Sequence, residues 1–243
     1  MHVLKADHDR GVELAGVPGR VPRPVDIDQT STHFKALRTL RIYRFAPPAV
    51  IDGHAEGDEV FLVVLTGAVD LVLRSEYWPD SGAAFRLMAA NDHVAMACAA
   101  YLPPHTEYRL TPLESAEVAY ARATPAGARP PRILVSAPRT EEGGAVVLWD
   151  EPTHAERLRC RLVHIEARHE PAALTPIRGD EAQSEALIHV RTTPARGAAT
   201  VQSDGQPTTP LESWDTIALV PGSHPTVRLS AGSSMVGLIV TAT

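Results

Sequence analysis

Aromatic residues are scarce, at 5% of the 243 residues. That excludes an extended base-stacking surface of the kind that holds single-stranded nucleic acid. Positive charge is not in excess either. A formal net charge of −6, with the 11 histidines neutral, argues against nucleic acid or an anionic membrane as the main partner. There are only two cysteines, Cys98 and Cys160. They stand far apart in apolar runs, with no CxxC spacing, and read as buried free thiols rather than a disulfide. No apolar run approaches the roughly 18 residues of a membrane-crossing helix. The stretch Met1–His8 has no basic region followed by an apolar one, so the expected compartment is the cytoplasm. GxSxG, P-loop and HExxH motifs are absent, and Gly143-Gly144 reads as a turn rather than a phosphate cradle.

Helix signals are few as well. With 21 Pro and 16 Gly, hardly any window allows three turns, and Thr153–Arg159 is the best short candidate. Strand signals recur instead, over Leu40–Phe45, Val60–Leu65, Ala68–Leu73, His93–Ala97, Ala116–Ala121, Val146–Leu148, Arg161–Ile165, Ala186–Arg191, Ala198–Gln202, Thr216–Val220, Thr226–Leu229 and Met235–Val240. Each is short, rich in Val, Ile and Leu, and bounded by Gly, Pro, Asp or Ser. Many short strands at regular spacing predict an all-β sandwich or barrel.

The pattern also repeats. Tyr101-Leu102-Pro103-Pro104-His105 and Leu219-Val220-Pro221-Gly222-Ser223-His224 are the same device, a strand end, a Pro turn and a His. Each follows an acidic residue that opens an apolar strand, Glu59 in one case and Glu185 in the other. An internal duplication of one barrel unit follows. The Pro-rich stretch Thr124–Pro131 ends the first copy, so the expected domains are 1–130, with a leading arm, and 131–243. The segment Met1–Pro24 is expected to cover an exposed sheet edge, on the other barrel or on a second subunit; a homodimer is an expectation of the same kind.

Two constellations carry candidate chemistry. In the first copy, Asp52-Gly53-His54 followed by Glu59 has the spacing of a strand-borne ligand set, because period two puts positions 52 and 54 on one face. His105 would join from the later turn. Asp, His and Glu suit Zn, Fe, Mn or Ni; the alternative is a solvated polar loop. In the second copy, Glu185 and His189 sit four apart on one strand, and His224 follows the late turn. Two protein ligands hold a metal poorly. The alternatives are a Glu185–His224 pair lining a polar pocket and able to do acid–base work, or unrelated surface groups.

Taken together, these motifs resemble the 5-deoxy-glucuronate isomerases of myo-inositol catabolism, a bicupin family. The resemblance rests on Leu62–Val69, on Ala100–Pro104 with Thr106-Glu107-Tyr108, and on Ala116–Ala119 in the first copy. In the second it rests on Ala155–Leu158, Pro176–Asp180, the strand Glu185 to Arg191, and Val220-Pro221 with His224-Pro225. It implies two cupin-type (double-stranded β-helix) barrels packed side by side and a divalent metal in the second barrel. The family's two His, Glu and His map onto Ile177, Gly179, Glu185 and His224, so only two of four positions keep a ligand type. If activity persists, the resemblance implies an aldose–ketose isomerisation of a sugar acid. Glu185 or Asp180 would move the proton, and Arg178, Arg191 or His224 would stabilise charge. Two other readings remain open: a non-catalytic or regulatory bicupin that binds a small polar, carbohydrate-like ligand, and a metal enzyme that uses the N-terminal barrel.

Overall fold

The computed structural model describes all residues except 76–81, 91–93, 126, 128, 142–144, 151–156 and 178–180. It divides into two units. One comprises Asp7–Ser136 and a short return segment ending at Leu158; the other comprises Met1–Ala6, Ala137–Asp150 and Arg159–Thr243.

The unit holding Asp7–Ser136, called here the first barrel, has a six-stranded sheet in the order Arg132–Val135, Ala97–Leu102, Glu59–Thr66, Ala116–Ala123, Leu37–Phe45, Val25–Asp28. Its four-stranded sheet runs Ile51–His54, Glu107–Pro112, Ala68–Arg74, Ala83–Met88. The second barrel repeats this plan. Its large sheet runs His2–Leu4, Thr216–Leu219, Glu185–Thr193, Ser233–Ala242, Arg159–Ala167, Val146–Asp150, Arg139–Thr140. Its small sheet runs Ala172–Leu174, Pro225–Leu229, Ala199–Ser203, Thr209–Leu211. Strand for strand, the order is the same twice, so the duplication read from the motifs is a duplication of topology.

The leading arm serves the second barrel. His2–Leu4 pairs antiparallel with Thr216–Leu219, and Lys5 Nζ reaches Asp215 Oδ2 at 2.7 Å. It covers the edge that Arg132–Val135 covers in the first barrel, which removes a row of unpaired backbone groups from solvent.

The burial patterns explain which strands were legible. Residues 59–64 are buried without a break, as are 186–190. Strands covered on both faces read as continuous apolar runs. The small sheets alternate instead, as in Ala199–Ser203, because one face is open. Ala83–Met88, Glu107–Pro112 and Thr209–Leu211 carry charge, proline or only three residues, and sequence signals passed them over. The expected helix at Thr153–Arg159 is corrected at its end, where Arg159 begins a strand; residues 153–156 lie outside the described ones, as do His93, Gly143-Gly144 and Ala155-Glu156. Both cysteines are free and buried. Among the described residues no helix is long and apolar enough to cross a membrane.

Candidate functional site

Strand parity turns Arg41, Tyr43 and Phe45 toward the interior of the first barrel, and Tyr120 and Arg122 from the neighbouring strand. Tyr120 lies directly opposite Arg41, and Val118 opposite Tyr43. The small sheet supplies Ile51 and Tyr108. With Leu14, Val60 and, at the rim, Asp52 and His54, these residues line a cavity of about 130 Å³. Gly53 makes room for Tyr108: a Cβ there would come within 2.2 Å of the Tyr108 ring.

The rings hold one another in place. Tyr43 stacks on Phe45 with centroids 5.4 Å apart and meets Tyr120 edge-on at 5.5 Å. Tyr108 lies 6.0 Å from Tyr120. Burial pushes the Tyr108 phenol up to about 12, and the nearby Tyr120 hydroxyl offsets this only in part. Burial also raises the Tyr120 phenol well above its ordinary value, and the Tyr108 and Tyr43 phenols add to the effect. The Tyr108 and Tyr120 hydroxyls therefore keep their protons at neutral pH. Arg23 occupies the Tyr43 hydroxyl at 3.2 Å, whereas the Tyr120 hydroxyl is buried and makes no hydrogen bond of normal geometry among the described residues.

Arginines form the charged wall. Arg41 Nε donates to Asp26 Oδ1 at 2.9 Å. Arg122 donates to the Ala55 carbonyl at 2.6 Å, and its Nε lies 3.2 Å from Asp58. Burial raises the Asp58 carboxyl, and Arg122 and Arg38 oppose that rise.

Of the metal candidates of this barrel, His54 and His105 come near one another, with ring centroids 6.3 Å apart, but among the described residues no third ligand type joins them. Asp52 is exposed on the outer face, with both oxygens held by Arg109 at 2.7 and 3.1 Å; that hydrogen bond, more than the charge, lowers its carboxyl. His54 is exposed, and its Nδ1 accepts from the Glu56 backbone at 2.7 Å. His105 is exposed in its turn at φ 64, the left-handed conformation glycine usually supplies there. Glu59 is 1% exposed. It accepts from the Tyr101 hydroxyl at 3.0 Å and from the Leu158 N–H at 2.7 Å, so it fastens the return segment. The outer face does carry an open concavity of about 640 Å³, lined by Asp52, His54, Arg74, Glu107 and Arg109 among others.

In the second barrel Ala186, Ile188 and Val190 belong to an aliphatic core with Val163, Val227 and Ile239. Period two then puts Glu185, His189 and Arg191 on the opposite face of their strand. His189 is 1% exposed, with Nδ1 3.2 Å from Thr216 Oγ1 and the Trp214 ring edge-on at 5.6 Å. Arg191 lies over that same ring at 4.1 Å. His224 is exposed in its turn, away from any pocket described here. Ile177 is a core residue, 6% exposed. Arg178, Gly179 and Asp180 lie outside the described residues. This barrel holds a buried ion pair, Arg161 with Glu181 at 2.9 Å, and Arg161 also donates to the Pro176 carbonyl.

Sequence reasoning looked for ligand residues and passed over the aromatic ones. The available signal was Arg41-x-Tyr43-x-Phe45 and Tyr120-x-Arg122, in which aromatic groups stand at core-facing positions where the second copy has Val163, Ile165 and Ile239.

No protein-family model and no curated protein matches the chain. Solved structures do match. An IolB-like protein from Salmonella typhimurium LT2 superposes with a TM-score of 0.70 at 17% identity, over 96% of this chain and 93% of that one. Bacillus subtilis oxalate decarboxylase, studied for its Mn(II) centres, gives 0.67 at 11% identity, over 99% of this chain and 76% of that one. A cupin 2 conserved barrel domain protein from Leptotrichia buccalis gives 0.55 at 10% identity, over 100% and 98%. The fold is thus an all-β bicupin. A divalent metal belongs to one of those neighbours, but the donor set here does not fit one: among the described residues no three His, Cys, Asp or Glu converge.

Proposed function

We propose that this bicupin binds a small polar, carbohydrate-like ligand inside its first barrel without help from a metal. One observation supports the reading above others: the phenols of Tyr43, Tyr108 and Tyr120 and the guanidinium groups of Arg41 and Arg122 line one cavity of the first barrel. Rings such as Tyr43, Phe45 and Tyr108 offer flat apolar faces to a sugar-like ring, while hydroxyls and guanidinium groups fix its orientation. The second barrel, filled by aliphatic side chains and the Arg161–Glu181 pair, is then a structural partner.

A second reading keeps the chain with the sugar-acid isomerases of myo-inositol catabolism. The likeness to the IolB-like protein over nearly the whole of both chains favours it. In that reading Glu185, Arg191, His224 and Asp180 carry the chemistry. A thermal-shift screen of sugars and hydroxy acids, followed by turnover assays on the hits with and without added divalent metal, separates the two. The first reading expects a hit whose binding is lost in a Tyr108→Ala, Tyr120→Ala double variant and kept in Glu185→Ala and His224→Ala. Metal-dependent turnover abolished by Glu185→Ala or His224→Ala would establish the second.

A further inference from the structure

We infer that the cavity of the first barrel recognises a carboxylate, with the Tyr120 hydroxyl and the terminal nitrogens of Arg41 as its donors. The inference rests on the ligand-binding reading above and names the group the ligand must carry.

The Tyr120 hydroxyl is the starting point. The residue is 7% exposed, its side chain lines the cavity, and its oxygen makes no hydrogen bond of normal geometry among the described residues, having only a looser polar contact with the Tyr108 hydroxyl. A buried hydroxyl left unpaired is costly, and an acceptor on a ligand would remove that cost. The Tyr108 phenol beside it, raised by burial, stays protonated as well, so the site offers hydrogens to an acceptor.

Arg41 supplies the charge. Its Nε is engaged by Asp26, and its two terminal nitrogens make no hydrogen bond among the described residues. Guanidinium edges of this kind match the two oxygens of a carboxylate. The wall as a whole favours an anion. Arg10, Arg23 and Arg41 gather around Asp26, and Arg38 and Arg122 around Asp58, with Glu56 near Arg122. Asp52, exposed at the rim of the cavity, is already paired with Arg109 through two hydrogen bonds. Cationic and donor groups thus face the cavity, while its carboxylates are already matched.

The test is isothermal titration of the full chain at pH 7.5 with lactate, tartrate and glucuronate, each beside its uncharged amide, and with inorganic phosphate. At least one acid is expected to bind, and its amide to bind about tenfold more weakly or not at all. Tyr120→Phe and Arg41→Gln are each expected to weaken that acid by about tenfold, with the melting temperature of Tyr120→Phe unchanged. Acid and amide binding alike, both weakened by Tyr120→Phe, would overturn the carboxylate assignment and leave the ligand-binding reading standing. Phosphate binding in place of every carboxylate would overturn it as well. No binding by any probe, or binding indifferent to Tyr120→Phe, would sink both.

Discussion

Tyr120 of the first barrel lies opposite Leu62 on one side and Arg41 on the other. The residue in the same place in the second barrel, Ile239, lies opposite Ile188 and Arg161. By the same correspondence Tyr43 answers to Val163, and Tyr108 to Pro225. The frame is common to both, and three phenols against three apolar side chains separate a cavity from a packed core. The arginine is common too, but its surroundings differ. Arg41 keeps its terminal nitrogens at a cavity, whereas Arg161 is 4% exposed and is taken up by Glu181 and the Pro176 carbonyl. Duplication therefore preserved strand order and a buried cation, and specialisation fell to a handful of inward side chains. Fold outlasts site in such a history.

The same correspondence sets the largest expected effect. Glu59 and Glu185 each open the central strand of their barrel, but Glu59 is buried and bonded through both oxygens, while Glu185 is half-buried. Glu59→Ala would strand the Tyr101 hydroxyl and the Leu158 N–H, at a cost of about 3–5 kcal/mol. Glu185→Ala should cost clearly less. Urea unfolding of both variants checks this, and equal losses would mean that the two glutamates do the same job.

Next comes the buried ion pair of the second barrel. Glu181→Ala removes a carboxylate from the buried Arg161 guanidinium, and a loss of about 3 kcal/mol is expected. Arg41 is part-exposed, and Asp26, its carboxylate partner, is shared with Arg10 and Arg23. Asp26→Asn should therefore cost less than Glu181→Ala. The reverse order in denaturant midpoints would show that the first barrel, not the second, is held shut by charge.

A third contrast lies on the opposite faces of the same strands. His189 corresponds to Val63, and both are fully enclosed. Burial, helped by Arg191, holds the imidazole down to about 3, whereas in an unfolded chain it takes up a proton near 6.5. Between those values the unfolded state binds more protons, so stability is full above pH 6.5 and falls as the pH drops toward 3. The slope from this group is about 1.4 kcal/mol per pH unit. His189→Val copies the first barrel and should remove that slope. Unfolding midpoints of both proteins at pH 7.5, 6.5 and 5.5 test it; parallel curves would show that His189 is not the titrating group.

The frame was legible because its central strands are covered on both faces, which writes them as unbroken runs such as Val60–Leu65 and Ala186–Val190. The small-sheet strands with charged outer faces, Glu107–Pro112 above all, were not, since half of each faces water and its alternation is short. The site was harder to read for a different reason. Ligand-type residues announce themselves by chemistry, so Asp52, His54 and Glu59 drew attention, yet their roles are an exposed ion pair, a local turn bond and a buried tether. Tyr43, Tyr108 and Tyr120 look like ordinary core aromatics until register brings three separate strands to one point. No spacing in the chain shows that Tyr120 would end with an unused hydroxyl.

That hydroxyl gives the smallest expected change in stability and the sharpest contrast between the barrels. A buried tyrosine that spends its hydroxyl on a partner loses about 1 kcal/mol when changed to phenylalanine. Tyr120 spends nothing in the unliganded protein, so Tyr120→Phe removes an unpaired polar atom and keeps the ring that packs against Tyr43. Its unfolding free energy should stay within about 0.5 kcal/mol of the wild type, or rise. Tyr101→Phe is the control, because its hydroxyl is committed to Glu59, and it should show the ordinary loss. If Tyr120→Phe cost as much as Tyr101→Phe, the hydroxyl would already have a partner, and the first barrel would be a packed core like the second.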